Sequence, residues 1–130
     1  MNSTPTGTTG PDFVSFQVRD LAASADFYER LVGLTRLPAS NPQAVVFSTG
    51  AAGTTAFAVR VPFPGVDLDA AGQLGTGIGV WFHQPDAAAL HARLADGGVP
   101  IVQEPFDSPF GTTFSFRDPD GYVVTIHSKP

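Results

Sequence analysis

The chain repeats itself. Its second half restates the pattern of its first at a nearly constant offset: Asp20 to Asp86 is 66 residues, Gly33 to Gly98 is 65, and the Phe-Ser pair at 47–48 to that at 114–115 is 67. Repetition at one offset constrains a fold more than any local propensity, because each copy must bury its apolar face against something. In the first copy FVSFQV alternates, with Val14, Phe16 and Val18 on an apolar face and Phe13, Ser15 and Gln17 on the other, as a strand requires. Asp20 has the chemistry of an N-cap. Leu21, Ser24, Phe27, Tyr28 and Leu31 follow at helical spacing, and Gly33 supplies a stop. Three short segments rich in β-branched and aromatic residues come next, LTRLPAS, QAVVFSTG and TTAFAVRV, punctuated by Asn-Pro and Gly-Ala-Ala-Gly. The first copy therefore reads βαβββ.

A Pro/Gly/Asp-rich stretch over 62–77 reads as a linker, and the pattern then restarts. GIGVWFHQPD matches the first strand, Asp86 is a second N-cap, Leu90 and Leu94 mark the buried side of a second helix, and Gly97-Gly98 ends it. VPIVQEP, TTFSFRD and YVVTIHS complete the second βαβββ copy. The expected organisation is a tail over 1–11, disordered by its polar Thr/Pro/Gly composition, and a single domain over 12–130. That domain has module one at about 12–61 and module two at about 78–129.

At 130 residues the chain suffices for one domain with an ordinary core. With no cysteine, disulfides, thiolate nucleophiles and Cys-held zinc or iron–sulfur centres are excluded. A net charge of −5 without a basic cluster argues against nucleic acid and anionic lipid as partners. No run reaches the length of a membrane span, and the opening MNSTPTGTTGPD lacks the charged and apolar regions of a secretory signal, so a cytoplasmic location is expected.

Three segments carry a resemblance to a known family: VRDLAASADFYERLVGL at 18–34, PDAAALHARLADGGV at 85–99 and FRDPDGYVVTIH at 116–127. Together they resemble the vicinal oxygen chelate superfamily, which includes glyoxalase I, extradiol dioxygenases, fosfomycin-resistance enzymes and bleomycin-binding proteins. The resemblance covers about residues 12 to 129, and its most specific element is the Asp-Pro-Asp-Gly turn. It implies an α+β fold in which two βαβββ modules form a curled mixed sheet around a central groove, together with homodimerisation. In metal-dependent members, first and last strands of each module supply His, Gln or Glu ligands to a divalent ion that acts as a Lewis acid. The matching positions here are Phe13, Ala58, Gly79 and Thr125, none of which offers an imidazole or anionic donor. This chain thus resembles the metal-free, bleomycin-binding-like branch; no metal and no cofactor are expected, and the vacated positions weigh against an enzyme.

Strand alternation places Phe13, Ser15, Gln17 and Arg60 of module one, and Gly79, Trp81, His83, Thr125 and His127 of module two, on the groove-facing parity. They form the expected ligand-binding set. Trp81 is suited to stack on a planar ligand for which Gly79 leaves room, or else to fill the space between modules. Arg60 suits an anionic ligand group or an acidic neighbour. His83 and His127 sit near strand ends, where polar residues ordinarily meet water. His91, beside the Leu90/Leu94 stripe, reads as a solvated helix residue. Gln103, Glu104 and Asp107 fall in VQEPFDSPFG, read as a loop bordering the groove. No catalytic residue is identified: Ser15 and Ser115 lack a G-x-S-x-G elbow, and GTGIGV at 75–80 precedes a strand instead of opening a helix, so it is not a dinucleotide loop.

The expected function is metal-free sequestration of an aromatic or amphipathic small molecule in the inter-module groove. Two alternatives stand beside it: a glyoxalase-like lyase, isomerase or dioxygenase using a displaced divalent metal at His83 and His127, and a non-catalytic interaction module.

Overall fold

A computed structural model describes residues 6–39, 41–49 and 54–130. Strand β1 (Val14–Gln17) leads into helix α1 (Leu21–Asp26), which continues as wider π-helical turns over Phe27–Val32. Strands β2 (Thr35–Arg36), β3 (Ala44–Ser48) and β4 (Thr55–Arg60) complete the first unit. The second comprises β5 (Val80–His83), helix α2 (Ala87–Asp96), β6 (Ile101–Ser108), β7 (Gly111–Arg117) and β8 (Val123–His127). The strand orders are β1-β4-β3-β2 and β5-β8-β7-β6, with β1/β4 and β5/β8 parallel and the other pairs antiparallel. This is the expected α+β pair of βαβββ modules; the two sheets curl without closing into a barrel.

The local signals act as their chemistry dictates. Asp20 accepts from Ala23 N–H at 3.0 Å and Asp86 from Ala89 N–H at 3.1 Å, each satisfying an orphan amide of a first helical turn. Gly33, at φ 94°, ends the first helix, its amide donating to the Tyr28 carbonyl at 3.1 Å. The π-helical turns delay the apolar stripe by one residue, so Val32 is buried where Leu31 was expected, and Leu31 is only partly covered.

The apolar faces of both units meet in one core. Phe16, Phe47, Phe57, Leu94, Phe114, Phe116 and Ile126 are among its buried members, each contributing about 1.5–3 kcal/mol of transfer free energy. Tyr28 lies at its centre, within ring contact of Phe16, Phe57 and Phe82.

Several expectations need correction. LTRLPAS yields only a two-residue strand, because Pro38 has no N–H to continue the ladder. The segment read as a groove-side loop, with Gln103, Glu104 and Asp107, is instead part of the edge strand β6, whose ladder to β7 shifts register on both sides of Gln103. Pro105 is tolerated there because an edge strand leaves one row of amides unpaired. The 62–77 linker carries a short 3-10 turn, Leu68–Ala71, and buries Leu68 and Leu74. Of the expected tail, residues 6–11 are exposed and outside regular structure, whereas residues 1–5 lie outside the described residues, as does the Gly-Ala-Ala-Gly punctuation at 50–53.

Polar ties join the halves. Tyr28 donates its hydroxyl to Asp118 Oδ2 at 2.7 Å, Tyr122 donates its hydroxyl to the Gln17 carbonyl at 2.7 Å, and Arg19 spans Asp69 and Asp120. The Asp-Pro-Asp-Gly turn is therefore the fastening between modules as well as a strand connection. At the far end of module two, Gly111 has φ 87°, and a Cβ there would collide with the side chains of Ser128 and Lys129. Gly111→Ala is expected to destabilise the fold by about 1–3 kcal/mol, read as a lowered urea midpoint with unchanged slope.

Candidate functional site

Cross-strand register fixes what the concave wall of module two presents. Trp81 stands opposite Thr125 and Thr125 opposite Ser115; His83 stands opposite His127 and His127 opposite Thr113. Partners in a ladder point to the same face, while Val80, Phe82, Val124 and Ile126 alternate into the core. In module one the same logic aligns Ser15 with Ala58 and Gln17 with Arg60. Register thus puts Ser15, Gln17 and Arg60 on one face of their sheet, and Trp81, His83, Thr125 and His127 on one face of theirs.

Trp81 is 49% exposed and forms the middle of an aromatic corner. Its ring lies 5.5 Å from Phe110 at 69° and 6.0 Å from His127 at 57°. The His83 and His127 rings are 5.4 Å apart. Gly79 leaves room as expected, but the indole itself uses that room: a Cβ on Gly79 would stand 3.3 Å from Trp81 Nε1. Phe110 is the member sequence reasoning missed. It occupies the β6–β7 turn, where no strand periodicity applies, and its one signal is a large apolar residue in a Pro/Gly-flanked turn.

Other predicted members are held by neighbours. Thr125 shares a hydrogen bond of 2.8 Å with Ser115, and Gln17 Oε1 accepts from Phe63 N–H at 2.8 Å. Arg60 meets neither an acid nor the open groove: its guanidinium lies 3.7 Å from the Phe63 ring centroid and Nε donates to the Val61 carbonyl. His83 Nε2 is 3.2 Å from the Ser128 carbonyl and His127 Nδ1 is 2.6 Å from that of Lys129. Phe13, just ahead of β1, is half-exposed. His91 is less solvated than expected, since its ring meets Phe114 edge-on at 5.3 Å and Nε2 lies 3.1 Å from Glu104 Oε2.

Phe13, Ala58, Gly79 and Thr125 do not fit a divalent cation. Ala58 is buried without a donor atom, the room at Gly79 holds an indole, and the Thr125 hydroxyl is committed to Ser115. Among the described residues, no three His, Cys, Asp or Glu side chains gather into a metal-sized cluster. Where β1 begins and β5 ends lies a cavity of about 470 Å³, with Val14, Ser48, Phe57, Trp81, Phe82 and His83 among the residues that border it. No helix among the described residues is long and apolar enough to cross a membrane.

Comparison with known proteins agrees with this architecture. Residues 10–126 match the Glyoxalase/Bleomycin resistance protein/Dioxygenase superfamily. The chain is similar to the anthracycline biosynthesis protein DauV of Streptomyces sp. (strain C5), at 30% identity over 122 residues; the match takes in 85% of this chain and 43% of that protein. Among solved structures it is similar to TnmS3, an antibiotic binding protein from Streptomyces sp. CB03234, with a TM-score of 0.68, 24% identity and 95% and 98% of the two chains covered. That likeness is one of fold. A glyoxalase/bleomycin resistance protein from the same Streptomyces gives a TM-score of 0.67 at 28% identity, covering 87% and 95% of the two chains.

Proposed function

Because the chain belongs to the glyoxalase/bleomycin resistance protein/dioxygenase superfamily, we propose that it is a metal-free receptor that sequesters a planar aromatic or amphipathic small molecule, of the kind represented by antibiotics. The observation that carries this reading is the aromatic corner of Trp81, Phe110 and His127, with half of the Trp81 surface open. An exposed indole flanked by a second ring offers a flat, apolar face at small entropic cost, which suits a rigid polycyclic ligand. The donor chemistry at Phe13, Ala58, Gly79 and Thr125 supports recognition by shape and stacking over chelation. The antibiotic-linked names of TnmS3 and DauV point to the same ligand class. Titrating Trp81 fluorescence with an anthracycline and with bleomycin tests the reading. Saturable quenching by at least one is expected, and a flat response from folded protein to a broad panel of planar compounds would remove it.

A second reading is favoured by one distance. Ladder partners with ring centroids 5.4 Å apart, His83 and His127 can share a transition-metal ion. Elemental analysis of protein purified without an affinity tag decides: a stoichiometric divalent metal lost in His83→Ala would replace the metal-free reading with a metal-dependent one.

The receptor is proposed to act as a homodimer. Val102 and Phe106 are exposed on β6, an apolar edge that a second copy would cover. Phe106→Asp is expected to weaken self-association by at least about tenfold in sedimentation velocity, through burial of an unpaired charge. A wild-type chain that stays monomeric at every concentration tested would refute the dimer.

A further inference from the structure

The internal repeat makes the molecule its own control, because each end of the β1/β5 seam has a counterpart. Registers equate β1 with β5 at an offset of 66 (Val14 with Val80) and β4 with β8 at 67 (Phe57 with Val124). Phe16 therefore corresponds to Phe82, Gln17 to His83, and Tyr122 to Thr55. At one end Tyr122 plugs the seam. Its ring stacks on Phe16 at 4.2 Å and 16°, its hydroxyl donates to the Gln17 carbonyl at 2.7 Å, and linker residue Gly75 closes over it. Phe16 is buried as a result, and a cavity of only about 150 Å³ remains there.

At the other end no such plug is found among the described residues. Thr55 is exposed and cannot stack, and no linker residue lines this end, whereas Gly75 lines the other. Phe82 meets Phe57 edge-on at 5.2 Å and Tyr28 at a tilt at 6.4 Å, but among the described residues no ring stacks on its face, and the cavity is about 470 Å³. The hydrogen-bond acceptor is retained. In β1, Val18 N–H donates to the Arg60 carbonyl, so strand alternation turns the Gln17 carbonyl away from β4 and toward the Tyr122 hydroxyl. In β5, Gln84 N–H donates to the His127 carbonyl, which turns the His83 carbonyl to the open seam in the same way.

We propose that this open end is a binding site for a phenol-type ring supplied by a ligand, seated face-on against Phe82 with its hydroxyl donating to the His83 carbonyl. Tyr122 shows within the same molecule that such a ring fits the geometry. The inference rests on the small-molecule-binding reading and adds to it a ring site in the cavity that Trp81 and His83 border.

The probe is p-cresol, the tyrosine side chain as a free molecule, followed by NMR of the Phe82 ring and of the methyl groups of Leu34, which also lines this cavity. Saturable shifts at both are expected, with toluene, which lacks the hydroxyl, about five- to tenfold weaker. Thr55→Tyr, which restores the missing plug, should abolish these shifts. If that variant does not fold, Phe82→Leu decides, since it retains an apolar floor and removes the stacking face; at least a fivefold loss is expected. Absence of saturable shifts at Leu34 and Phe82, or equal binding by folded Thr55→Tyr, overturns the proposal. Shifts confined to Phe110 and His127 also overturn it, while leaving the planar-ligand reading of the aromatic corner intact. Failure of anthracycline quenching together with p-cresol binding at Leu34 separates the two in the opposite direction.

Discussion

Asp118→Ala is expected to destabilise the protein by on the order of 3–5 kcal/mol, a large share of a domain's total stability. The Asp118 carboxylate is buried and fully engaged. Oδ1 accepts from the amides of Asp120 at 2.9 Å and Tyr122 at 3.0 Å, and Oδ2 accepts from the Tyr28 hydroxyl at 2.7 Å. Alanine leaves a buried phenol and two turn amides without partners and severs a tie between residues 90 positions apart. Asp118→Asn keeps the acceptor for the amides and can donate to the Tyr28 oxygen, so a cost of only about 1 kcal/mol is expected. Urea denaturation of both variants measures the difference, and equal costs would show that the tie does not fasten the modules.

The same pair carries a pH signature. Burial raises the Asp118 carboxyl above its ordinary 3.8, outweighing the hydrogen bonds that lower it, and the nearby Asp120 charge adds to the rise. Burial also raises the Tyr28 hydroxyl well above 10, with the Asp118 charge adding to it, so Tyr28 remains a donor throughout the acid range. The native state thus holds the Asp118 proton more tightly than the unfolded chain. The stabilisation from this group is fully present below 3.8 and is lost as pH rises through the raised native value. Relative to Asp118→Asn, the wild type should lose stability as pH is raised from below 3.8 through the raised native value, and then level off. A constant difference across that range would contradict the assignment.

Trp81→Ala is expected to weaken binding of a planar ligand by about 10–100-fold, the range for a stacking anchor near the centre of a contact. The fold should change little, because the indole is half-exposed and its ring contacts, Phe110 and His127, lie at the surface of the concave wall. Trp81→Phe should recover part of the loss by restoring a flat face of smaller area. Isothermal titration with the ligand found by fluorescence checks both. An unchanged affinity in Trp81→Ala would move the binding surface elsewhere.

Much of the fold was legible because its signals are local. Asp20 and Asp86 cap helices through amides three residues away, Gly33 and Gly98 adopt positive φ where helices end, and strand alternation assigned Ser15, Gln17, Trp81, His83, Thr125 and His127 to one face. Periodicity says which way a side chain leaves the backbone, but it does not say what that side chain meets. Arg60 was read as a group for a ligand or an acid, yet its cation rests on Phe63 of the linker. Gly79 was read as room for a ligand, and Trp81 occupies it. Strand β6 ran through a proline because edge position, a tertiary property, relaxed the rule.

By itself the sequence determined two βαβββ copies, their caps and stops, and the composition of the face each sheet turns to the groove, since all of these follow from the spacing of residues along one strand or one helical turn. Only the tertiary structure decided that Asp118 fastens to Tyr28, that Phe110 completes the corner around Trp81, and that one end of the seam is plugged by Tyr122 while its counterpart stands open over Phe82. Those contacts join residues brought together by the docking of two modules, and docking depends on side-chain volume and direction across the seam, which no repeat offset encodes.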